Sequence, residues 1–459
     1  MVTSQPTAVV LSGGGAKGAF SAGALDYLVR QLGLVPDVLT GTSAGSLCAG
    51  VMAQARGATE FFAVAGQLRE DILRMSAPGA SFQVKSWLSA LEGTSLGDDI
   101  EAVVKGKSRP PIPVDPGLAE DPLAGVAASG FTARRGWEDV RSLLTHASAQ
   151  RKAIKEFAGH NQSLLVLDPL EGALRGRTPG QGPSPIDEER IARPGLRLRI
   201  PVTALGAGCS HYVTELGALV DGQGMPVTGG SGTDDPAAPL VPGVIEGMLA
   251  SSSVPGVFAP RSIGDDVYVD GGILQNIPLS AAQTLGVESC YAVLADPLAC
   301  PPPTQDYAAA DFVQVGLRAE MTVAFYGQQA RELQAARAQG MSVTLIDPTV
   351  TVVSSFETEP GLLTIALDYG WLRACGVTAA TDPSTVARSH AAADEIAAGR
   401  VRSWYLEAGL GGSGDAVDKA LASAKSMVAR ALQDWTDMGL ALPDKASRWS
   451  TDPELHTVG

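Results

Sequence analysis

Gly41-Thr42-Ser43-Ala44-Gly45 lies between a short apolar run, Val38-Leu39, and a segment of helical spacing from Ser46 to Arg56. A Gly-x-Ser-x-Gly between strand and helix is the pattern of a nucleophile elbow, in which a strained turn lifts the serine hydroxyl clear of the backbone. Small residues flank the serine because the incoming strand and outgoing helix come into close contact there. Such a five-residue pattern arises readily in a chain with 53 glycines, so its surroundings decide the reading. Upstream, the β-rich run Thr7 to Leu11 ends in Ser12-Gly13-Gly14-Gly15-Ala16-Lys17-Gly18. Apolar residues then recur at Ala22, Leu25, Leu28, Val29 and Leu32, a helical period. Gly33 and Pro36 stop that helix. Downstream, Leu47, Cys48, Val51, Met52 and Ala55 mark one face of a second helix. Strand–helix–strand–helix at this spacing predicts a parallel α/β unit whose site lies at the strand C-terminal ends.

Gly13, Gly15 and Gly18 fit G-x-G-x-x-G after a strand and before a helix, which raises a dinucleotide site. The acidic residue that would bind ribose should close the second strand, but that strand ends in Thr40-Gly41 and Asp37 precedes it. A P-loop fails as well, because Lys17 is followed by Gly18. What successive glycines offer is a set of unobstructed backbone N–H groups at a helix N-terminus, suited to an anion or a transient oxyanion.

A serine hydroxyl needs a base to become nucleophilic near neutral pH. Of the five histidines, His146, His160, His211, His390 and His456, none sits in a strand-end loop with small neighbours. His211 reads as a surface or satisfied core residue. Asp270-Gly271-Gly272 supplies another base: it ends the strand Val267 to Val269, where a parallel sheet would present its catalytic groups. An aspartate is a weak base, with an ordinary pKa of about 3.9, and partial burial would raise it toward a useful value.

In this order, Gly13-Gly14-Gly15-Ala16-Lys17-Gly18, Gly41 to Gly45 and Asp270-Gly271-Gly272 resemble the glycine loop, nucleophile elbow and Asp-Gly-Gly/Ala motif of the patatin-like phospholipases. Asp168-Pro169-Leu170, Ala250 to Pro260 and Asn276-Ile277-Pro278-Leu279 resemble further segments of that family, and the likeness runs from about Thr7 to Cys375. It implies a three-layer α/β/α fold with a mostly parallel central sheet, and a Ser43–Asp270 dyad acting on lipid acyl esters through an acyl-enzyme. It also implies an oxyanion hole at Gly13, Gly14 and Gly15, supported by Lys17, Gly18, Gly41, Gly45, Gly271 and Gly272, with no metal and no cofactor. Two other readings stand beside it: a Ser-His-Asp α/β-hydrolase, with His390 in suitable chain order, and a lipid-binding protein without activity.

The rest of the chain bounds these readings. A formal net charge of −15 over 459 residues opposes loose binding to nucleic acid or anionic lipid. The five cysteines show no metal or redox spacing and fit a reducing, cytoplasmic setting. Cys48, Cys209 and Cys290 lie in apolar runs and read as buried. No apolar run approaches the ~20 residues of a membrane-spanning helix, which leaves peripheral contact with a membrane or micelle as the expected lipid encounter. Residues 1–380 are expected to form the hydrolase domain, with irregular insertions near 106–130, 172–195 and 222–242 that could cover the site. Trp137 to Phe157 reads as an amphipathic helix. Residues 381–459, Ala-rich to Met438, read as a C-terminal helical appendage.

Overall fold

The computed structural model describes residues 6–77, 79–85, 163–178, 180, 182–229, 235, 237–300, 315, 318–408, 414–443 and 445–451. The expected insertion at 106–130 and helix at 137–157 lie outside them. Eleven strands are described: β1 (Thr7–Leu11), β2 (Val38–Gly41), β3 (Gln83–Val84), β4 (Leu165–Val166), β5 (Arg197–Ala204), β6 (Cys209–Thr214), β7 (Leu219–Val220), β8 (Arg261–Ile263), β9 (Asp266–Asp270), β10 (Ser289–Val293) and β11 (Ser342–Ile346). The α-helices are α1 (Gly18–Arg30), α2 (Ala44–Met52), α3 (Gly57–Arg74), α4 (Asp168–Leu174), α5 (Glu188–Ile191), α6 (Val244–Ser251), α7 (Leu279–Gln283), α8 (Ala324–Ala338), α9 (Pro360–Ala379), α10 (Pro383–Glu407) and α11 (Asp415–Asp437).

The main sheet runs β11-β10-β1-β2-β5-β6-β7. Its first five strands are parallel, while β6, β7, β8 and β9 join in antiparallel pairings. Alternation along β1 builds the three layers, because successive side chains of a strand point to opposite faces. Val9 and Leu11 enter a core with α1, α2, α3, α6 and α9. Ala8 and Val10 enter a second core with Leu279 and Ala282 of α7 and Leu333 and Ala336 of α8. A strand buried on both faces reads as a continuous apolar run, as Ala8-Val9-Val10-Leu11 does.

Helix α1 meets α9 almost backbone to backbone. A methyl group at Gly23 would lie 1.8 Å from the Leu367 carbonyl oxygen, and one at Gly370 would lie 1.9 Å from that of Phe20. Only glycine permits this crossing, and it draws the glycine loop ahead of α1 against the segment ahead of α9. There the Ala16 N–H donates to the Ser355 carbonyl at 2.8 Å.

Three sequence expectations change. The 172–195 stretch is not wholly irregular, since it includes the end of α4 and all of α5. Within 222–242, isolated bridges join Val220 to Pro226 and Thr228 to Pro239, so this chain folds back on β7. Cys209 is exposed, whereas Cys48 and Cys290 are buried, because Cys209 opens β6 beside the Gly206–Gly208 turn.

Candidate active site

Strand β5 brings the two motifs together. Its first half pairs in parallel with β2, Arg199 opposite Thr40, and its second half pairs with β9, Val202 opposite Asp270. Strand β9 is antiparallel to β5, not the parallel strand expected. Its polarity is set by the pairing with distant β5: the β8–β9 hairpin through Gly264 turns the chain so that β9 enters from the opposite end. The C-terminal ends of β2 and β9 therefore converge on one edge of β5. The residues that follow, Ser43 and Asp270 with its two glycines, meet there although 227 positions separate them.

Ser43 has φ 52° and ψ −124°, and every other described residue with positive φ is glycine. A backbone held in so sparsely populated a region needs its surroundings to enforce it. The Ser43 N–H donates to Ser251 Oγ at 3.0 Å, and Ser251 Oγ donates to the Pro201 carbonyl at 2.7 Å. Thr42 Oγ1 donates to the Gln275 carbonyl at 2.8 Å. On the other side, Ser46 Oγ donates to the Ser43 carbonyl at 2.6 Å. The flanking glycines are sterically required: a Cβ at Gly41 would sit 2.2 Å from the Gly45 carbonyl oxygen, and one at Gly45 would sit 2.6 Å from those of Leu11 and Ser12.

Asp270 is 6% exposed and Ser43 8%. Asp270 Oδ1 accepts from the Gly272 N–H at 2.7 Å. Oδ2 is buried and lacks a hydrogen bond of full geometry, and the Ser43 hydroxyl is the side-chain donor beside this carboxylate. Burial pushes the Asp270 pKa up to about 6, against the lowering effect of hydrogen bonds from Ser43 and Gly272. Thr203 Oγ1 donates to the Asp270 carbonyl at 2.9 Å, fixing the strand end.

The glycine loop runs beside both. A Cβ at Gly13 would lie 3.1 Å from that of Ser43 and 2.6 Å from Asn276 Oδ1. The Gly13 N–H is already engaged, donating to the Asn276 carbonyl at 3.3 Å. The N–H groups of Gly14 and Gly15 have no acceptor among the described residues. Lys17 is buried, and its Nζ pairs with Asp296 Oδ1 at 2.6 Å, which pins the loop to the end of β10. A buried pair is justified only when both charges are satisfied, and its role here is to hold loop geometry. Ser12 adds to this anchor, accepting from the Ala295 N–H at 2.8 Å.

Gly13, Gly14, Gly15, Ser43 and Asp270 all line one cavity of about 640 Å³. Its lining includes the apolar side chains of Leu68, Ile72, Leu170, Leu174, Val254 and Phe258. It also includes Gln328 and Arg331 of α8 and the segment Ser355-Phe356-Glu357-Thr358. The 172–195 stretch contributes Leu174 and Pro183, and the described part of 222–242 contributes nothing.

No described histidine lines the cavity. His211 Nδ1 is bonded to Tyr268 Oη at 3.0 Å. His390, on α10, is depressed in pKa by burial and by Arg373. His146, His160 and His456 lie outside the described residues. Among the described residues no three His, Cys, Asp or Glu side chains gather as a metal site, and no helix is long and apolar enough to cross a membrane.

Sequence reading missed Ser251 and Asp296 as supports of the site. Asp296 had a signal, since it follows the β-rich run Ser289 to Ala295, at a strand C-terminal end. Ser251 lies in the Ala250 to Pro260 segment that shares in the resemblance, but nothing local marks its role, because its partners Ser43 and Pro201 are distant in sequence.

A search of curated proteins finds no match. Among solved structures, the crystal structure of VipD from Legionella pneumophila aligns over 98% of this chain and 92% of that one, with 14% identity and a TM-score of 0.31. Full-length ExoU in complex with SpcU, from the type III secretion system of Pseudomonas aeruginosa, aligns over 97% of this chain and 90% of that one, with 12% identity and a TM-score of 0.15. The family model described as patatin-like phospholipase matches residues 9–282, more than half of the chain, and it takes in the glycine loop, the serine turn and the Asp-Gly-Gly strand end. The chain belongs to the patatin-like phospholipase family.

Proposed function

We propose that this protein is a serine lipid acyl hydrolase that cleaves carboxylic esters of phospholipids, lysophospholipids or glycerides with Ser43 and Asp270. Family membership supports lipid ester hydrolysis in general. The observation that carries the specific reading is the convergence of two strand ends on β5, with a strained serine and a buried carboxylate lining one largely apolar cavity.

In the proposed mechanism Ser43 Oγ attacks the ester carbonyl carbon while its proton passes to Asp270 Oδ2. The developing oxyanion is held by the free N–H groups of Gly14 and Gly15. Gly13, whose N–H is committed to Asn276, acts through the room it leaves beside Ser43. Collapse of the tetrahedral intermediate expels the alcohol, which takes the proton from Asp270 and leaves an acyl-Ser43. Water then attacks this ester and gives its proton to Asp270, and collapse of the second tetrahedral intermediate returns that proton to Ser43 Oγ and releases the fatty acid. An aspartate with its pKa near 6 can act as base and then as acid within each half-reaction.

The test is hydrolysis of a panel of phospholipid, lysophospholipid and glyceride esters by the wild type, Ser43→Ala and Asp270→Asn. Turnover in the wild type that falls by about 10³-fold or more in both variants is the expected result. Wild-type turnover in either variant would remove that residue from the mechanism. Lipid binding with no ester hydrolysis at all would favour the non-catalytic reading.

A further inference from the structure

Helix α8 divides its residues between two environments. Tyr326, Gln329, Leu333 and Ala336 are buried against the sheet, while Ala324, Phe325, Gln328 and Arg331 line the cavity. The second set follows helical spacing along one face. Arg331 is exposed, and it is the only cationic side chain among the described residues lining the cavity.

The position of its guanidinium is set by the turn before it. Side chains on a helix lean toward the N-terminus, and at 327 the chain carries glycine. A Cβ placed at Gly327 would lie 3.1 Å from Arg331 Nη1, so the guanidinium lies against the bare helix backbone at that turn. A larger residue at 327 would push it away. No carboxylate among the described residues pairs with it. The carboxylates that share the cavity are engaged elsewhere: Asp296 with Lys17 and Asp71 with Arg74, while Asp270 Oδ1 takes the Gly272 N–H and Glu357 Oε1 those of Thr358 and Glu359.

In a chain with 49 acidic and 34 basic residues, a guanidinium that has no carboxylate partner among the described residues and shares a cavity with Ser43 is a place suited to an anion. Guanidinium offers several N–H donors in a fixed fork that matches the oxygens of a phosphate. The anion present in some esters of the substrate class and absent from others is the phosphodiester of a phospholipid.

We propose that Arg331 binds the headgroup phosphate of the lipid substrate and thereby makes this site prefer phosphate-bearing acyl esters over uncharged glycerides. The inference rests on the hydrolase reading for the location of the substrate, but its test does not need turnover.

Ser43→Ala protein, which holds lipid without cleaving it, is titrated with a lysophosphatidylcholine and with a monoacylglycerol of the same acyl chain, both below their aggregation concentrations. Binding of the phospholipid about tenfold more tightly is expected, in keeping with a charge-assisted pair at a partly open site. Adding Arg331→Ala should abolish that difference by weakening the phospholipid alone, and Arg331→Lys should restore part of it. Gly327→Leu, which leaves Arg331 in place and takes its resting space, should narrow the difference as well. Equal affinity for the two lipids, or an equal loss for both on Arg331→Ala, overturns the proposal. A third titration uses inorganic phosphate alone; binding as tight as that of the phospholipid would assign Arg331 to a free anion and overturn the lipid reading. If the lipids bind as expected and the wild type hydrolyses neither, the hydrolase reading fails and the headgroup assignment stands.

Discussion

At Ser43 the backbone takes a positive φ that, among the described residues, is otherwise found only at glycine, and Ser251 holds it there through the Ser43 N–H. Ser251→Ala removes the acceptor of a buried donor, a loss of about 1–3 kcal/mol. Because that strain positions the hydroxyl, kcat should fall about tenfold or more while KM changes little; a variant with unchanged kcat would show that the elbow holds itself. Asp270 makes a second prediction. It can take a proton only when ionised, and burial has moved its pKa up to about 6. Activity of the free enzyme, read as kcat/KM, should rise with pH through about 6 and level above it, falling about tenfold per unit below. A midpoint at an ordinary aspartate value near 4 would mean that the carboxylate is not desolvated as described or is not the base.

The elements explain why the site was partly legible from sequence. The glycine loop and the serine turn are each local, a strand end and the start of a helix, and their steric demands are written into neighbouring residues. Gly45→Ala illustrates the demand: its methyl group would lie 2.6 Å from two carbonyl oxygens of the adjoining strand end, and a loss of about 2 kcal/mol or more, seen as a lower Tm, is expected. The direction of β9 was not legible, because strand polarity in a sheet depends on the partner, and β5 lies more than sixty residues away. The cavity walls given by α3 and by Ser355 to Thr358 were missed for the same reason. Helix α8 adds a pH-dependent term. Glu332 is pushed up to about 7 by burial, though it accepts from Ser280 and Gln275. Its folded pKa lies above the unfolded value of about 4.3, so its contribution to stability is full below that value and is lost as pH rises through about 7. Asp270 acts in the same sense up to about 6. Glu332→Gln should therefore flatten the decline of Tm between about pH 4.5 and 7; an unchanged slope would place Glu332 in contact with water.

Over the whole molecule, the C-terminal helices share the core of the sheet domain. Ile396, Val401, Trp404, Val428 and Trp435 belong to the same apolar cluster as Val9 and Leu39. Asp368 of α9 joins Arg69 of α3 at 2.7 Å and Arg400 of α10 at 2.9 Å, and Arg400 lies over the Trp449 ring at 4.1 Å. A chain ending at residue 380 would uncover that cluster and leave Asp368 half-paired, so it should fail to give a cooperative thermal transition; a melt matching the full chain would show that the C-terminal helices add nothing to the stability of this core. The feature of the whole arrangement on which the proposed mechanism depends is the meeting of two strand ends, which brings Ser43 and Asp270 to one edge of β5. The most direct test is mass-spectrometric mapping of the covalent adduct formed by a fluorophosphonate or by a rapidly quenched acyl ester. A single adduct on the peptide carrying Ser43, formed at least 10²-fold more slowly in Asp270→Asn and absent in Ser43→Ala, is the predicted result. An adduct on another residue, or one on Ser43 that forms at the same rate without the Asp270 carboxylate, would contradict it.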